Sequence, residues 1–313
     1  MLGSVVRTAA RNGRLAALLA ATPAGHALAR RHLGLGNDEA LPIARALADT
    51  ERLVALEPLR HRSRTGSEVA AAAEGYRRLL AGLSEAGVEG TELSVRLSAL
   101  SADADPGAAA RAQLAGICTV AAELGHRVNL DPEGPRGARL GLDLAADLHR
   151  EFGSLGVTLA AHLHRAELEA QRFSELGMRV RLVRLSVHPV PDAAHTDTGA
   201  VDLAYVRCLR TLMEGPATPV VATHDPRLLA IGADLVRRHG RGVGDQEFLL
   251  DHRMHPVDRR RLTAAGLLVR TNLSFGEDWS GYLARRLAEE PSGLAELPRG
   301  LVRTAGTGTG PGQ

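Results

Sequence analysis

The segment TPVVATHDPRLLAIGADLVRRHG, residues 218–240, contains a complete strand–turn–helix unit. Its first residues are small or β-branched, which favours a short buried strand. Thr223 and Asp225 follow that strand, and both residue types are typical of a helix cap. The remaining residues repeat apolar side chains at helical spacing and end at Gly240, a residue that helix C-termini favour. The segment therefore predicts one strand joined by a turn to one helix.

Seven other segments carry the same strand signal of β-branched or aliphatic residues. They are RLVALEPL (52–59), ELSVRLSAL (92–100), HRVNLD (126–131), GVTLAAHL (156–163), RVRLVRLSV (179–187), QEFLL (246–250) and LLVRTNL (267–273). Stretches of helical period, such as residues 67–87, lie between them. This alternation predicts an α/β protein with parallel strands, and eight repeats favour a closed (β/α)8 TIM barrel. A doubly wound open sheet is the alternative.

The rest of the chain is divided around this barrel. We predict an N-terminal helical extension over residues 1–45, the barrel over residues 46–300 and a disordered tail over residues 301–313. The tail contains TAGTGTGPGQ, a composition too poor in large apolar residues to build a core.

Composition excludes several classes of function. A net charge of +2 over 313 residues is too small to argue for a nucleic-acid partner or a membrane surface. Cys118 and Cys208 form no CxxC motif, so the chain is typical of a reducing compartment such as the cytoplasm. The apolar run at residues 15–22 is shorter than a membrane span requires.

Polar residues stand near the predicted C-terminal ends of the strands, where (β/α)8 barrels carry their chemistry. The sequence predicts that they form a polar ring above an aliphatic barrel, and such a ring suggests a small charged ligand. The ring includes Arg96, Asp131, His162, Arg181, Thr223, His224, Asp251, His252 and Asn272. No Gly-rich dinucleotide fingerprint follows the first strand, which weakens a nicotinamide hypothesis.

The segment FGEDWSGYLARRLAEE, residues 275–290, predicts a helix with an unusual face. Tyr282, Arg285, Arg286 and Glu289 stand at i, i+3, i+4 and i+7, so they share that face. This spacing normally marks the buried apolar stripe of an amphipathic helix. The face could simply be exposed to solvent and carry Arg–Glu pairs. Alternatively, it could bind an anion.

Taken together, these segments resemble the proline dehydrogenase family, particularly its short, single-function bacterial members. ELSVRLSAL resembles the second-strand motif of that family, with Arg96 where the family has lysine. RVNLDPE resembles the third strand, which carries an aspartate, and ATHDPRLL matches the end of the sixth. The most specific match is GEDWSGYLARRLAEEPSGL (276–294), which resembles the last loop and helix almost residue for residue.

The resemblance implies a distorted barrel that binds FAD at its mouth and oxidises L-proline to Δ1-pyrroline-5-carboxylate by hydride transfer to flavin N5. It also implies that electrons pass to a quinone, which would bring a cytoplasmic protein into peripheral contact with the inner membrane face. The expected substrate ligands are Arg285 and Arg286, with Arg96 near the same carboxylate and Asp131 neutralising part of their charge.

The resemblance assigns further residues to the cofactor and to the substrate. Arg181 is expected to donate to flavin N5, and Thr223 and His224 are expected to line the flavin. Tyr282 is expected to pack beside the substrate, and Glu289 to steady the arginines or touch the cofactor.

The sequence departs from the family pattern at four positions near the predicted strand ends. A flavin-contacting glutamine is Ala160 here, and a glycine after the fifth strand is Leu185. The leucine that usually covers the proline ring is Asp251, and a tyrosine on the eighth strand is Asn272. The usual apolar walls stabilise a pyrrolidine ring by about 1–3 kcal/mol. Asp251 is therefore expected to contact the substrate with a carboxylate, where the family has an apolar side chain.

Three hypotheses follow. The first is a working FAD-dependent dehydrogenase of proline or of a more polar relative, such as a hydroxyproline or another imino or amino acid. The second is a diverged paralogue that lacks turnover and acts as a binding or regulatory protein. The third is a metal-dependent barrel hydrolase, suggested by AAHLHRA (160–166), where His162 and His164 would share a strand face. We favour the first, and expect no metal site.

Overall fold

The computed structural model describes residues 37–50, 52–102, 106–132, 134–185, 193–252, 256–276 and 278–282, and near the N-terminus residues 17, 20–23, 25, 26 and 29. Within these ranges eight strands form a closed barrel in chain order. Every neighbouring pair is parallel, including the pair that joins the last strand to the first. The predicted (β/α)8 barrel is therefore confirmed, and the open sheet is excluded.

The strands are β1 (Leu53–Pro58), β2 (Glu92–Arg96), β3 (Arg127–Asp131), β4 (Leu155–Ala160), β5 (Arg179–Val183), β6 (Thr218–Ala222), β7 (Glu247–Asp251) and β8 (Val269–Phe275). The named helices are α1 (Asn37–Ala48), α2 (Gly66–Glu85), α3 (Leu97–Leu100), α4 (Pro106–Glu123), α5 (Gly134–His149), α6 (Ala166–Glu175), α7 (Thr198–Glu214), α8 (Pro226–Arg238) and α9 (Pro256–Ala264). Residues 279–282, after β8, are also helical.

Local sequence signals explain where the helices begin and end. Thr65 and Glu68 form a capping box at the start of α2. The side chain of Asp225 accepts a hydrogen bond from the Arg227 amide and caps α8, as predicted. Gly87 and Gly240 follow α2 and α8 with φ of 66° and 60°. This left-handed conformation often ends a helix, and glycine adopts it without the steric strain that a side chain would cause.

Several strands, among them β2 and β4, are shorter at their C-terminal ends than the apolar runs predict, whereas β7 and β8 extend to Asp251 and Phe275. Residues 97–100 form the short helix α3, and β4 ends at Ala160 rather than at residue 163. Short apolar runs fit either periodicity, so the sequence alone does not locate these ends. Helix α1 crosses the predicted boundary at residue 45, and the division into extension, barrel and tail stays a prediction.

The N-terminal residues contact the segment that follows β8. The His26 ring lies 4.9 Å from the ring of Trp279 between centroids, tilted by 53°. Among the described residues, no helix has both the length and the apolar character needed to cross a membrane. Cys118 and Cys208 are unbridged, and burial raises the pKa of each thiol to about 12.

The main hydrophobic core lies outside the barrel wall, between strands and helices. Leu56, Leu93 and Val157 point from the strands into this core and pack in the same cluster as Tyr76 and Leu80 of α2. Burial of each such side chain stabilises the fold by about 1.5–3 kcal/mol. Most aliphatic residues of the strands therefore attach the helices, and only a smaller apolar cluster of Ala55, Val220 and Leu249 lies on the lumen side.

The lumen also carries buried charges, so the prediction of an aliphatic barrel holds only for part of it. At its N-terminal end, Arg179 donates from Nε to Glu92 and from Nη2 to Glu247, both at 2.7 Å. Arg270 donates from Nε to Glu247 at 2.8 Å and from Nη1 to the Val54 carbonyl. We call Glu92, Arg179, Glu247 and Arg270 the ionic layer. It pairs every one of its buried charges, as low-dielectric surroundings require.

We predict that Glu247→Gln destabilises the fold by about 3–5 kcal/mol, because the buried Arg270 then faces a neutral partner and Arg179 keeps only its ion pair with Glu92. Glu247 is 2% exposed, so water cannot reach the site to solvate the guanidinium groups in place of the lost carboxylate. Urea unfolding monitored by circular dichroism measures the change.

The matched control is Glu74→Gln on α2, which removes exposed ion pairs with Arg77 and Arg78. It should leave the midpoint nearly unchanged, since such pairs are solvated. Equal midpoints for the two variants would show that the ionic layer does not stabilise the barrel.

His162 is buried in the turn that replaces the predicted end of β4. It is 2% exposed. Burial, with a smaller effect from nearby His195, lowers its pKa from 6.5 to about 4. The unfolded chain therefore binds a proton near pH 6.5 that the folded chain does not bind until much lower pH. Stability is fully present above pH 6.5 and falls as the pH drops towards 4.

We predict that His162 alone accounts for a loss of about 1.5 kcal/mol between pH 6.5 and pH 5. His162→Gln should remove this part of the pH dependence, measured as the difference between urea unfolding free energies at the two pH values. The exposed His239→Gln control should behave as the unmodified protein does. An unchanged slope in His162→Gln would contradict the assignment.

Candidate active site at the mouth of the barrel

Side chains from most of the strands converge at the C-terminal end of the lumen, which we call the mouth. Arg96, Asp131 and Asp251 are the last residues of β2, β3 and β7. Glu57 is the last but one residue of β1, and His224 follows β6. The carboxyl ends of parallel strands meet at one face of a barrel, which is why residues so distant in sequence share one site.

A chain of hydrogen bonds runs around one side of the mouth. The amide Nδ2 of Asn272 donates to Glu57 at 2.9 Å and to Asp251 at 3.1 Å. Ser274 donates its hydroxyl to Glu57 at 2.7 Å, and His224 Nε2 lies 3.1 Å from the other Asp251 oxygen. We call these five residues the polar arc; they come from the adjacent strands β7, β8 and β1 and from the end of β6.

Arg96 continues this arc with a permanent positive charge. Its Nη2 lies 3.7 Å from Glu57, and its Nη1 lies 3.8 Å from Asp278. Burial raises the pKa of Glu57, but the charge of Arg96 and the hydrogen bonds from Asn272 and Ser274 outweigh burial and lower it. Glu57 is therefore ionised at neutral pH, and Arg96, which is only 4% exposed, is held in place.

Arg181 links the mouth to the ionic layer. It is the third residue of β5, so it lies within the strand and not at its end. Its guanidinium donates to Glu92 and lies 3.9 Å from Asp131. Burial opposes the charge, but Glu92 and Asp131 raise the pKa of Arg181 above its ordinary value. Its Nε has no hydrogen-bond partner among the described residues.

Asp131 is held by neutral neighbours as well as by Arg181. Its Oδ1 accepts from the Asn129 amide at 3.2 Å and from the Thr158 hydroxyl. These donors leave the carboxylate fixed on the β3–β4 side of the mouth, opposite Asp251 on β7. The two carboxylates therefore stand on different walls.

The remaining wall of the mouth carries small apolar side chains. Ala160, Val183 and Ala222 are neighbours in register on β4, β5 and β6. Val183 and Ala222 remain partly accessible, whereas Leu182 and Val221 on the opposite faces of the same strands are fully buried. We call Ala160, Val183 and Ala222 the small-residue wall. It is open to the lumen and presents no polar side chain.

The other predicted site residues fall into two groups. Thr223 lies at the end of β6, where its hydroxyl accepts from the Asp225 amide at 3.2 Å, and Tyr282 is buried in the helical residues that follow Asp278. Arg285, Arg286 and Glu289 lie outside the described residues.

Two residues of the mouth were not predicted. Glu57 and Ser274 are central to the polar arc, yet neither stood out among the strand residues. The available signal was weak: Glu57 is a single acidic residue in an otherwise apolar strand. Its partners come from β8 and are 215 and 217 positions away in sequence.

The structure does not place His162 and His164 on one strand face, because β4 ends at Ala160. His162 is buried, and the His164 ring instead packs edge-on against His195, with 4.6 Å between ring centroids. The ranges that the structure describes contain no group of three or more His, Cys, Asp or Glu side chains suited to a metal ion. The predicted shared face is therefore wrong, and the hydrolase hypothesis loses its structural basis within those ranges.

Comparison with known structures supports the fold. Proline utilization A from Bdellovibrio bacteriovorus, solved after inactivation by N-propargylglycine, aligns with a TM-score of 0.78 at 19% identity. The alignment covers 92% of this chain and 36% of that protein. A Bradyrhizobium japonicum proline utilization A mutant aligns with a TM-score of 0.71 at 21% identity, over 89% of this chain and 33% of the mutant.

Sequence comparison assigns the family. Proline dehydrogenase 1 of Bacillus subtilis is 26% identical over 213 residues, covering 68% of this chain and 70% of that protein. Proline dehydrogenase of Deinococcus radiodurans is 29% identical over 189 residues, covering 60% of this chain and 61% of that protein. The family model described as proline dehydrogenase matches residues 40–296, which is most of the chain. The protein belongs to the proline dehydrogenase family.

Proposed function

We propose that this protein is a FAD-dependent dehydrogenase that oxidises L-proline, or a related imino or amino acid, in amino-acid catabolism. For proline the product is 1-pyrroline-5-carboxylate, and the proposed electron acceptor is a quinone. The observation that carries the proposal is the match of residues 40–296 to the family, combined with a mouth that gathers Arg96, Asp131 and Arg181.

The residues at the mouth fit a flavin. The small-residue wall offers a flat, apolar surface without bulky side chains, which suits the face of an isoalloxazine ring. Arg181 provides a buried cation with an unpartnered Nε beside that wall, and Thr223 and His224 lie at the neighbouring end of β6. Leu185, which replaces a family glycine, lies beyond the end of β5 and is exposed. When bound, the flavin supplies the two-electron acceptor.

The charges of the mouth suit an amino acid bound by its carboxylate. Arg96 is buried and cationic, and Arg285 and Arg286 are proposed to complete a guanidinium clamp from the helix that begins near residue 279. Guanidinium groups match a carboxylate in charge and geometry, and this grip would determine which carbon faces the oxidant. Asp131 would offset part of that positive charge, and Tyr282 would pack beside the substrate, with Glu289 steadying the arginines.

Arg181 has a separate proposed role in tuning the cofactor. Its guanidinium is held by Glu92 and Asp131, so the charge is already in position and does not have to move during a reaction. A fixed positive charge beside the ring would favour the reduced, electron-rich form. This role makes Arg181 a cofactor-binding residue.

The test is the visible spectrum of the purified protein followed by anaerobic addition of L-proline. A bound flavin spectrum that bleaches on addition supports the proposal, as does bleaching by another imino or amino acid, which would reassign the substrate. A protein that cannot take up FAD would overturn the proposal in favour of the non-enzymatic paralogue. Reoxidation of the bleached protein by a soluble quinone tests the acceptor.

We predict that Arg285→Met combined with Arg286→Met abolishes bleaching by substrate and leaves the bound-flavin absorbance unchanged, because the clamp is lost and the cofactor bed is not. The matched control is Arg260→Met with Arg261→Met, an adjacent and exposed pair on α9. It should bleach at the unmodified rate. Unaffected turnover in the first double variant would contradict the clamp.

A further inference from the structure

The wall formed by the polar arc cannot serve as an apolar cover for a substrate ring. Asp251 and Glu57 both present carboxylates to the mouth, and Asn272 joins them through its Nδ2. The Asp251 side chain remains 13% exposed, so it is reachable from the lumen. An unsubstituted hydrocarbon ring against this wall would desolvate charged groups without offering them a hydrogen bond, which is unfavourable.

Asp251 is held in a fixed position by neighbours on both sides. His224 Nε2 lies 3.1 Å from Oδ2, and Asn272 Nδ2 donates to Oδ1 at 3.1 Å. Arg259 also donates to the Asp251 backbone carbonyl at 3.1 Å. A carboxylate oriented in this way presents its oxygens in a defined direction, as a specificity contact requires.

A second acceptor lies on the same wall. Asn272 is 4% exposed, and its carbonyl Oδ1 is buried with no hydrogen-bond partner among the described residues. An unsatisfied buried acceptor is costly unless a ligand supplies a donor. The partly exposed Asp251 carboxylate therefore favours a ligand that brings an O–H or N–H group to this wall, and the buried amide oxygen beside it adds to the acceptor character of the wall.

Two residues of the polar arc separate Asp251 from Arg96. Asn272 contacts Asp251 and Glu57, and Glu57 in turn lies 3.7 Å from Arg96. A substrate whose carboxylate is held near Arg96 would direct its distant ring carbons towards Asp251. The extra donor must therefore sit on a ring carbon remote from the carboxylate.

We propose, resting on the function proposed above, that Asp251 binds a hydroxyl group of the substrate and that the preferred substrate is a cyclic imino acid hydroxylated on a ring carbon remote from its carboxylate. A neutral hydroxyl fits better than a second ammonium group. Each carboxylate of the arc already has a basic partner, His224 for Asp251 and Arg96 for Glu57. We therefore expect the substrate to bring a neutral hydrogen-bond donor to this wall and not another cation.

The test compares kcat/KM for L-proline with kcat/KM for each diastereomer of 4-hydroxy-L-proline. We expect the protein to prefer one hydroxylated substrate by at least about tenfold, the effect of a hydrogen bond to a charged group. Asp251→Leu should reverse the preference, because it removes the acceptor and restores an apolar wall. Asp251→Asn, which keeps the size and an acceptor oxygen but not the charge, should reduce the preference without reversing it.

Binding of carbocyclic analogues gives a readout that does not depend on turnover. Cyclopentanecarboxylate and 3-hydroxycyclopentanecarboxylate have no ring nitrogen and cannot be oxidised to an imine. Their dissociation constants, measured by calorimetry, should differ by at least about tenfold in favour of the hydroxylated analogue, and this difference should vanish in Asp251→Leu. Thermal unfolding by circular dichroism checks that the variant is folded.

The outcomes separate this inference from the proposed function. If no imino or amino acid bleaches the flavin, the proposed function fails, while the analogue pair still reports on Asp251. Three results would overturn the inference: a preference for L-proline in the unmodified protein, equal binding of the two analogues, or an equal loss for both substrates in Asp251→Leu. The last would mean that Asp251 contacts a group that both substrates share, such as the ring nitrogen.

Discussion

The pairing of buried charges inside the barrel is the constraint on which the rest of the molecule depends. Glu92 accepts from both Arg179 and Arg181, and Arg181 in turn reaches Asp131 at the mouth. The ionic layer and the mouth are therefore one electrostatic unit. The arginine and glutamate side chains in the lumen tolerate burial only when every charge has a partner, so the positions of Arg181 and Asp131 at the mouth follow from the pairs beneath them.

This arrangement gives the mouth two unlike halves. The small-residue wall on β4 to β6 suits a flat ring, while the polar arc on β7, β8 and β1 offers acceptors and a fixed imidazole. In a closed barrel these halves face one another across the lumen. The proposed cofactor and the proposed polar substrate would then occupy the same opening on different walls, as a dehydrogenase requires.

Sequence reasoning located most of the mouth because a parallel barrel brings all strand ends to one face. Arg96, Asp131, Thr223, His224 and Asp251 were found in this way. The charged lumen was missed, although ELSVR, RVNLD and RVRLV alternate polar and apolar residues. That alternation marks strands with one polar face, and in a closed barrel the polar face is the lumen. The roles proposed for Arg285, Arg286 and Glu289 stay predictions.

By itself the sequence determined the number and order of the strands, their alternation with helices, the cap at Asp225 and the family, because these depend on local periodicity, on capping side chains and on motifs read along the chain. Only the tertiary structure decided which side chains meet. Glu57 joins Asn272, His224 joins Asp251, and Arg181 joins Glu92 through barrel closure across long sequence separations. Hydrogen bonds and ion pairs act over a few ångströms in space and leave no periodic trace in sequence, so the substitutions at residues 251 and 272 became interpretable as one hydrogen-bonded wall only in three dimensions.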